Sequence, residues 1–311
     1  MEAKENPYLA HTKRGREPIR QKRINVNKDG GDSTHEAFGR SVPERTRTPL
    51  KRFKYGNYRN YYGYRNKSMG IDSRLQLLDP ALFKHKRVLD IGCNSGILTI
   101  DVALYLQPRY ILGVDIDADL IHAAIKEVRL VNSLLPPMHK RAEALDQLNT
   151  AHLVDIKSYF PKSMPAMFGT IYIDPTSNTT QFPHNIHFRH SGNWIEEEDE
   201  HEPYDILLAL SISKWIHLNW GDQGIKDFFH KAYRSLQDGG MFVLEAQPWK
   251  NYKNAFSQSP ELRENYKKLQ FLPQEFEAYL LETVGFRYVE VLGASENAVE
   301  GFQRTMAIYF K

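Results

Sequence analysis

The chain has 311 residues, 41% of them apolar and 25% charged, with a net charge of +3, which suits one large α/β domain with extensions or two small domains. Its single cysteine excludes an internal disulfide and favours a reducing compartment. No apolar run reaches the length of a membrane span and the first residues start no apolar signal region, so we expect neither membrane insertion nor secretion.

The positive charge is concentrated near the N-terminus. Residues 1–54 hold fourteen Lys and Arg against seven Asp and Glu, which leaves the remaining residues with a net charge of −4. Few apolar residues and no periodicity predict a disordered basic tail over 1–50, ahead of one domain over 51–311. The most basic stretch, residues 14–23, is typical of a nuclear address or a nucleic-acid arm, and a merely solubilising tail is an equal alternative.

An aromatic segment, residues 53–66, follows the tail. Six of its fourteen residues are aromatic, and Lys and Arg lie between them. Aromatic rings stack on bases and guanidinium groups bind phosphate oxygens, whereas the alternative is a segment that docks its rings on the domain core. We expect a lid or a site-forming segment.

The next stretch carries a nucleoside-binding pattern. A predicted strand over 87–91 enters a glycine-rich turn, residues 90–96, and a helix to about residue 106. A second strand, 110–114, ends at Asp115, and an acid at that place binds ribose hydroxyls in nucleoside-binding sheets. The turn lacks the third glycine of the dinucleotide pattern, so S-adenosylmethionine, which has no phosphate, fits better than a dinucleotide. The pattern resembles motif I and its acidic partner in class I methyltransferases.

The remaining elements alternate between strand and helix. Residues 134–183 interrupt them with several prolines and predict a partly ordered insertion. Helices are predicted over 73–83 with Asp72 as N-cap, 118–132 with Asp117 as N-cap, 222–236 and 273–283, and strands over 185–190, 204–211, 241–245, 286–292 and 302–310. This order predicts an α/β, Rossmann-like class I methyltransferase fold, a mostly parallel doubly wound sheet with an antiparallel C-terminal strand.

Ligands of such sheets bind at the carboxyl ends of the strands. There the glycine turn would meet Asn193-Trp194 and residues 211–222, in which Lys214 and His217 are predicted to face an anionic acceptor. Packing beneath the sheet is the alternative for the apolar residues of that segment. Second-tier candidates after the next strand are Gln247, Trp249 and Tyr252.

Two features of the sequence, a cysteine and a group of three histidines, are not predicted to form reactive sites. Cys93 has no His or acid in its motif to activate it, so it is not predicted to be a nucleophile. His184, His187 and His190 alternate between the two faces of a strand, so no metal site is predicted.

Five motifs together resemble the RNA methylphosphate capping enzymes, the bicoid-interacting-protein type of methyltransferase. They occur in the family's order at residues 55–65, 90–94, 115–117, 210–221 and 247–249. The resemblance implies methyl transfer from S-adenosylmethionine to the terminal 5′ phosphate of a small non-coding RNA, a nuclear location and a La-related protein as partner. The chain departs from the family's pattern at Ala246 and Thr305.

The family has a triphosphate and a monophosphate branch, and residues 61–65 look more like the triphosphate branch. We therefore predict methylation of the terminal (γ) phosphate. An RNA 5′-end-binding scaffold with little or no turnover is the main alternative, and a small-molecule methyltransferase is the least favoured. Because a terminal phosphate is already anionic at neutral pH, no general base is required.

The site prediction has two parts. The acceptor phosphates are assigned to Arg65, Lys214 and His217, with Tyr55, Tyr58 and Tyr64 shaping the pocket and Asn57 as a weaker candidate. The cofactor is assigned to Asp90, Gly92, Cys93, Asn94, Gly96, Asp115, Ile116, Asn193, Trp194 and Leu210.

Overall fold

The computed structural model describes residues 53–65, 71–146, 155–177, 179–198, 202–255, 259–294 and 303–311. The tail predicted over 1–50 lies outside these residues, so its disorder and the domain boundary remain predictions. Among the described residues, no helix combines the length and the apolar character that crossing a membrane needs.

The described strands form one sheet of seven. They are β1 Arg87–Ile91, β2 Tyr110–Asp115, β3 Ile186–His190, β4 Tyr204–Leu210, β5 Leu236–Glu245, β6 Tyr288–Gly293 and β7 Met306–Phe310. The order across the sheet is β3-β2-β1-β4-β5-β7-β6, and β7 runs antiparallel to both of its neighbours. The other neighbouring pairs are parallel. The predicted fold class, with its antiparallel C-terminal strand, is confirmed.

Helices cover both faces of the sheet. The α-helices are α1 Tyr61–Arg65, α2 Pro80–Phe83, α3 Ile97–Asp101, α4 Ala118–Leu134, α5 Met138–Asp146, α6 Ser163–Phe168, α7 Ser213–Ser235, α8 Pro260–Lys268 and α9 Phe276–Tyr279. One-turn 3₁₀ segments occupy Ser73–Leu77, Ile156–Ser158, Trp194–Glu196, Trp249–Asn251 and Pro273–Glu275, and π-helical turns follow α3 at Val102–Leu106 and α9 at Leu280–Val284.

Two predicted helices differ from the structure for local reasons. The helix predicted over 73–83 is broken into Ser73–Leu77 and α2, because the proline at position 80 disfavours helical backbone at Asp79, which caps α2 instead. The helix predicted from residue 222 is the second half of α7. Gly221, at φ 69° and ψ −169°, separates it from a first half that begins at Ser213.

The apolar core has one layer on each face of the sheet. Alternate side chains of the buried strands enter the two layers, for example Val88 and Leu208 into one and Leu89 and Leu207 into the other. β4 is buried along almost its whole length, as its continuous apolar run predicted. Each fully buried Leu or Val contributes about 1.5–3 kcal/mol. This rigid centre fixes the carboxyl ends of β1, β2, β4 and β5 relative to one another.

Candidate active site

A cavity of about 550 Å³ opens at the carboxyl ends of the central strands, a volume typical of small-molecule sites. Its wall includes Ile91 from β1, Asp115 from β2, Leu210 from β4 and Gln247 just beyond β5. Other lining residues come from the aromatic segment, from the turn after β1, from the loop after β3, from the start of α7 and from the segment ahead of β7. The sheet therefore gathers side chains from distant parts of the sequence into one site.

The glycine turn after β1 requires both of its glycines. Gly92 and Gly96 have φ angles of 76° and 74°, a region that glycine occupies without strain. A Cβ at Gly96 would lie 2.5 Å from Cζ of Phe188 and 2.8 Å from Cβ of Ala124, and one at Gly92 would overlap Ile212. The backbone N–H of Gly92 donates to the carbonyl of Val114 at 2.8 Å, which ties the turn to β2.

Asp115 closes this side of the cavity. One carboxylate oxygen accepts from the backbone N–H of Asn94 at 2.8 Å and the other from that of Asp117 at 2.9 Å. Burial raises the pKa of Asp115, and these two N–H donors oppose the rise. Each oxygen keeps a further lone pair. Because the carboxylate lines the cavity, it can accept hydrogen bonds from two neighbouring hydroxyl groups.

Two cations line the cavity at the other side, Lys214 at the start of α7 and Arg304 ahead of β7. Burial, and then the charge of Arg304, lowers the pKa of Lys214 to about 8. The ammonium group lies 4.5 Å from the centre of the Trp215 ring. Among the described residues that line the cavity, Lys214 and Arg304 are the only Lys or Arg residues. This side of the cavity therefore attracts anions.

A buried polar network holds Arg304 in place. Its Nη1 donates to Oγ of Ser211 at 2.6 Å, and that hydroxyl in turn donates to Glu245. Glu245 also accepts from Arg74 at 3.2 Å, and Arg74 pairs with Asp72 at 2.9 Å. All but Arg304 in this chain of contacts are buried. The network therefore connects the segment ahead of β1 with the ends of β4 and β5.

The aromatic segment forms the remaining wall. The ring of Tyr55 stacks on Trp220 with centroids 5.8 Å apart, and Gly56 lies directly against the Trp215 ring. Nδ2 of Asn57 donates to Asp117 at 2.6 Å. These contacts attach the segment to α7 on one side and to the end of β2 on the other, so it crosses the cavity as a cover.

The chain is similar in sequence to several known methyltransferases. The family model of bicoid-interacting protein 3 matches residues 204–311, and that of ribosomal protein L11 methyltransferase matches residues 72–156. The human 7SK snRNA methylphosphate capping enzyme is 38% identical over 278 residues, 84% of this chain and 40% of that protein. The Drosophila melanogaster U6 snRNA methylphosphate capping enzyme Amus is 35% identical over 269 residues, 83% of this chain and 75% of that protein.

The chain belongs to the bicoid-interacting protein 3 family. This confirms the resemblance that the five motifs indicated. A relative named pre-miRNA 5′-monophosphate methyltransferase, from Xenopus laevis, is 28% identical over 65% of this chain and 69% of that protein. The chain spans about 40% of the length of the human relative. Among solved structures, the plantazolicin methyltransferase BpumL overlays at a TM-score of 0.44 and 14% identity over 81% of this chain and 88% of that one.

Most residues that were predicted to hold the cofactor line the cavity. Those that do are Gly92, Asn94, Asp115, Ile116, Asn193, Trp194 and Leu210. Asp90, Cys93 and Gly96 are not lining residues. Asp90 accepts from the hydroxyl of Thr99 at 2.6 Å and so joins β1 to α3, and burial raises its pKa to about 6. Burial also raises the pKa of the Cys93 thiol well above its usual range.

Only some of the residues predicted to bind the acceptor line the cavity. Tyr55, Tyr58 and Lys214 line the cavity. Tyr64 and Arg65 belong to α1, but their side chains lie outside the described residues, so their roles remain predictions.

The prediction for His217 is wrong. Its ring is fully buried, with Nε2 2.8 Å from Asp222 and Nδ1 3.2 Å from the hydroxyl of Tyr252. Burial lowers its pKa, which the hydrogen bond to Asp222 opposes. Both ring nitrogens are used inside the protein, so this side chain stabilises α7 and does not face the cavity.

Two residues that line the cavity, Arg304 and Gln247, were not among the main site residues predicted from the sequence. Arg304 precedes the last strand, far in sequence from the other site residues, and is followed directly by Thr305, at which the chain departs from the family's pattern. Gln247, a second-tier candidate, lines the cavity and accepts from the backbone N–H of Lys214 at 3.0 Å. Of the other two second-tier candidates, Tyr252 is buried against His217, and Trp249 stacks on Tyr266 with centroids 4.7 Å apart.

Proposed function

We propose that the protein is an S-adenosylmethionine-dependent RNA methyltransferase that methylates the terminal phosphate at the 5′ end of a small non-coding RNA. The observation that carries the proposal is the make-up of the cavity, which has a carboxylate suited to a ribose on one side and two cations on the other. The names of the human and Drosophila relatives, both methylphosphate capping enzymes of small nuclear RNAs, support it.

The residues at the β1 and β2 ends fit the cofactor. Asp115 would accept hydrogen bonds from the two ribose hydroxyls, and Gly92 provides the positive φ angle that the turn lining the cavity needs. Asn94, Trp194 and Leu210 complete the surroundings. When bound, S-adenosylmethionine supplies a sulfonium methyl group: the phosphate oxygen gains the new O–C bond, and the electron pair of the broken C–S bond stays on sulfur.

The residues at the β4 and β5 ends fit the acceptor. Lys214 and Arg304 attract and orient a terminal phosphate, whose charge of about −1.5 to −2 at neutral pH makes its oxygens nucleophilic without a general base. Positioning is thus the main task of the protein. The aromatic cover at Tyr55 and Tyr58 helps to exclude water from the reacting groups.

The test is methyl transfer from labelled S-adenosylmethionine to one short RNA that carries a 5′ triphosphate, monophosphate or hydroxyl. Wild type is compared with Lys214→Met and Arg304→Gln, and Lys226→Met, a lysine on the outer part of α7 beside Phe271, is the matched control. We expect label on the triphosphate end, a loss of about 100-fold or more in the two site variants, and wild-type rates in the control.

Other outcomes would contradict the proposal. Tight RNA binding with no label on any end would indicate the scaffold alternative, in which the domain grips a 5′ end without turnover. Equal label on the hydroxyl end would show that the acceptor is not a phosphate. Label on small metabolites, with none on RNA, would indicate a small-molecule methyltransferase.

We also propose a nuclear location and a La-related protein partner. The basic stretch at residues 14–23 supports the first, as do the names of the human and Drosophila relatives, which are capping enzymes of small nuclear RNAs. We expect a fluorescent fusion of the full chain to be found in the nucleus. A fusion that lacks residues 14–23 should lose this location. The family resemblance alone supports the partner, and co-purification of a La-related protein that survives ribonuclease treatment tests it.

A further inference from the structure

A second groove lies beside the cavity, on the solvent side of α4. Its lining residues include Arg59, Ser95, Asp119, His122, Lys126 and Arg129. Arg59, Lys126 and Arg129 bring three positive charges against the one carboxylate of Asp119. Residues 55–311 carry a net charge of −4, so this groove stands out from the overall charge of the domain.

The basic residues of α4 lie on one face of the helix. His122, Lys126 and Arg129 are spaced by four and three residues, which places them above one another, and all three are exposed. The stripe is about 10 Å long at 1.5 Å per residue. One turn earlier, Asp119 accepts from Nη2 of Arg59 at 2.8 Å. This ion pair holds the arginine of the aromatic segment at the end of the stripe.

The groove begins where the cavity ends. Ser95 lines the groove and follows Asn94, which lines the cavity. In the same way Arg59 lines the groove and follows Tyr58, which lines the cavity. Nδ2 of Asn94 donates to the carbonyl of Tyr58 at 3.2 Å, so the glycine turn and the aromatic segment meet at the border between the two spaces.

An exposed basic helix face is often no more than a solvated surface. Here the charges line a concave groove, and two of its lining residues, Ser95 and Arg59, are the chain neighbours of residues that line the proposed active site. The groove adjoins the cofactor side of the cavity, opposite Lys214 and Arg304. A polyanion held at these two cations by its 5′ end therefore has a basic path for the nucleotides that follow the first few. Arg and Lys bind phosphates without regard to base identity, so this path adds affinity and no sequence preference.

We propose that the α4 groove binds the phosphodiester backbone of the substrate RNA beyond its 5′ end. The inference rests on the proposed function for the identity of the polyanion. Arg59, Lys126 and Arg129 contact phosphates, and the methyl-transfer site handles the terminal phosphate alone. The groove thus lowers the KM of longer RNAs and leaves the chemical step unchanged.

The experiment compares Lys126→Glu/Arg129→Glu with the control Lys84→Glu/Arg287→Glu in the full chain. The control makes the same change in charge at two exposed residues just ahead of β1 and β6, at the amino ends of these strands and therefore away from the cavity. Two 5′-triphosphorylated RNAs are used, a dinucleotide and a single strand of about twenty nucleotides with the same 5′ end. Kd is measured against salt concentration, and kcat and KM are measured for both RNAs.

We expect the groove variant to raise Kd and KM for the longer RNA about tenfold, with kcat and the dinucleotide values unchanged. The slope of log K against log salt should decrease by about 1.5, as expected for two lost phosphate contacts on a single strand. Equal Kd, KM and slope in the groove and control variants would overturn the inference. If wild type methylates neither RNA, the proposed function fails, and the Kd comparison still decides for or against the groove.

Discussion

The charge state of Lys214 limits the proposed methyl transfer at high pH. Burial and the nearby charge of Arg304 lower the pKa of Lys214 to about 8, so the side chain loses its charge as the pH rises through that value. About nine tenths of the lysine is charged at pH 7 and about one tenth at pH 9. Because a neutral amine does not attract the acceptor phosphate, we expect kcat/KM to fall about tenfold between pH 7 and pH 9.

The assay is a pH profile of kcat/KM, which reports the groups of the free enzyme and free RNA. The profile should also rise through about pH 6, where the terminal phosphate loses its last proton, and this limb is an internal control. Lys214→Arg keeps its charge throughout the range, so the fall near pH 8 should be absent from this variant. A wild-type profile that stays flat to pH 9, or the same fall in Lys214→Arg, would refute the reasoning.

Three further changes test the site. Asp115→Asn should weaken binding of S-adenosylhomocysteine about 10–100-fold in calorimetry, because the charged acceptor is lost, and unchanged affinity would remove this residue from the cofactor site. His217→Ala should lower the free energy of unfolding in urea by about 2–4 kcal/mol and leave kcat of the folded enzyme nearly unchanged, since the ring bonds inside the protein. A large loss of kcat at unchanged stability would restore the original acceptor prediction. Gly96→Ala should cost about 2–4 kcal/mol in the same assay through its left-handed backbone and its contact with Phe188, and wild-type stability would show that the turn relaxes freely.

The charge of Lys214 also gives a prediction about the stability of the protein. Folding lowers the pKa of Lys214 from 10.5 to about 8, so at pH 7 the protein holds a buried cation whose cost is roughly 3 kcal/mol. Lys214→Met removes the charge and keeps much of the volume, and we expect its free energy of unfolding to exceed that of wild type by about 1–3 kcal/mol at pH 7. Chemical denaturation measures this, and a destabilised variant would contradict it. The gain should shrink above pH 8, where the folded wild type releases the proton.

Strands and the cofactor turn could be predicted because their signals are local. β1 matches its predicted bounds, since a short apolar run ends at a glycine whose positive φ angle ends the strand. The position of Asp115 was predicted in the same way, because this residue ends the next strand along the chain. Helices were less predictable where a single residue redirects the backbone, as Pro80 and Gly221 do. The helices α5, α6 and α8 were not predicted, because helices of six to nine residues are too short to show a clear periodicity.

The acceptor side was harder to predict because tertiary contacts decide it. Lys214 and His217 are three residues apart on one helix, yet the first reaches the cavity and the second is enclosed by Asp222 and Tyr252. Arg304 joins the site only because β7 inserts antiparallel beside β5, and its contact with Ser211 spans 93 residues of sequence. No spacing rule within one segment contains that information.

The central claim is that the methyl group is transferred to an oxygen of the terminal 5′ phosphate. The most direct measurement is digestion of the methylated RNA to nucleotides, followed by mass spectrometry of the 5′-terminal product. We expect the added methyl group on the 5′-terminal phosphate, and about 100-fold less of this product, or lower still, from the Arg304→Gln variant. A methyl group on a base or a ribose would contradict it.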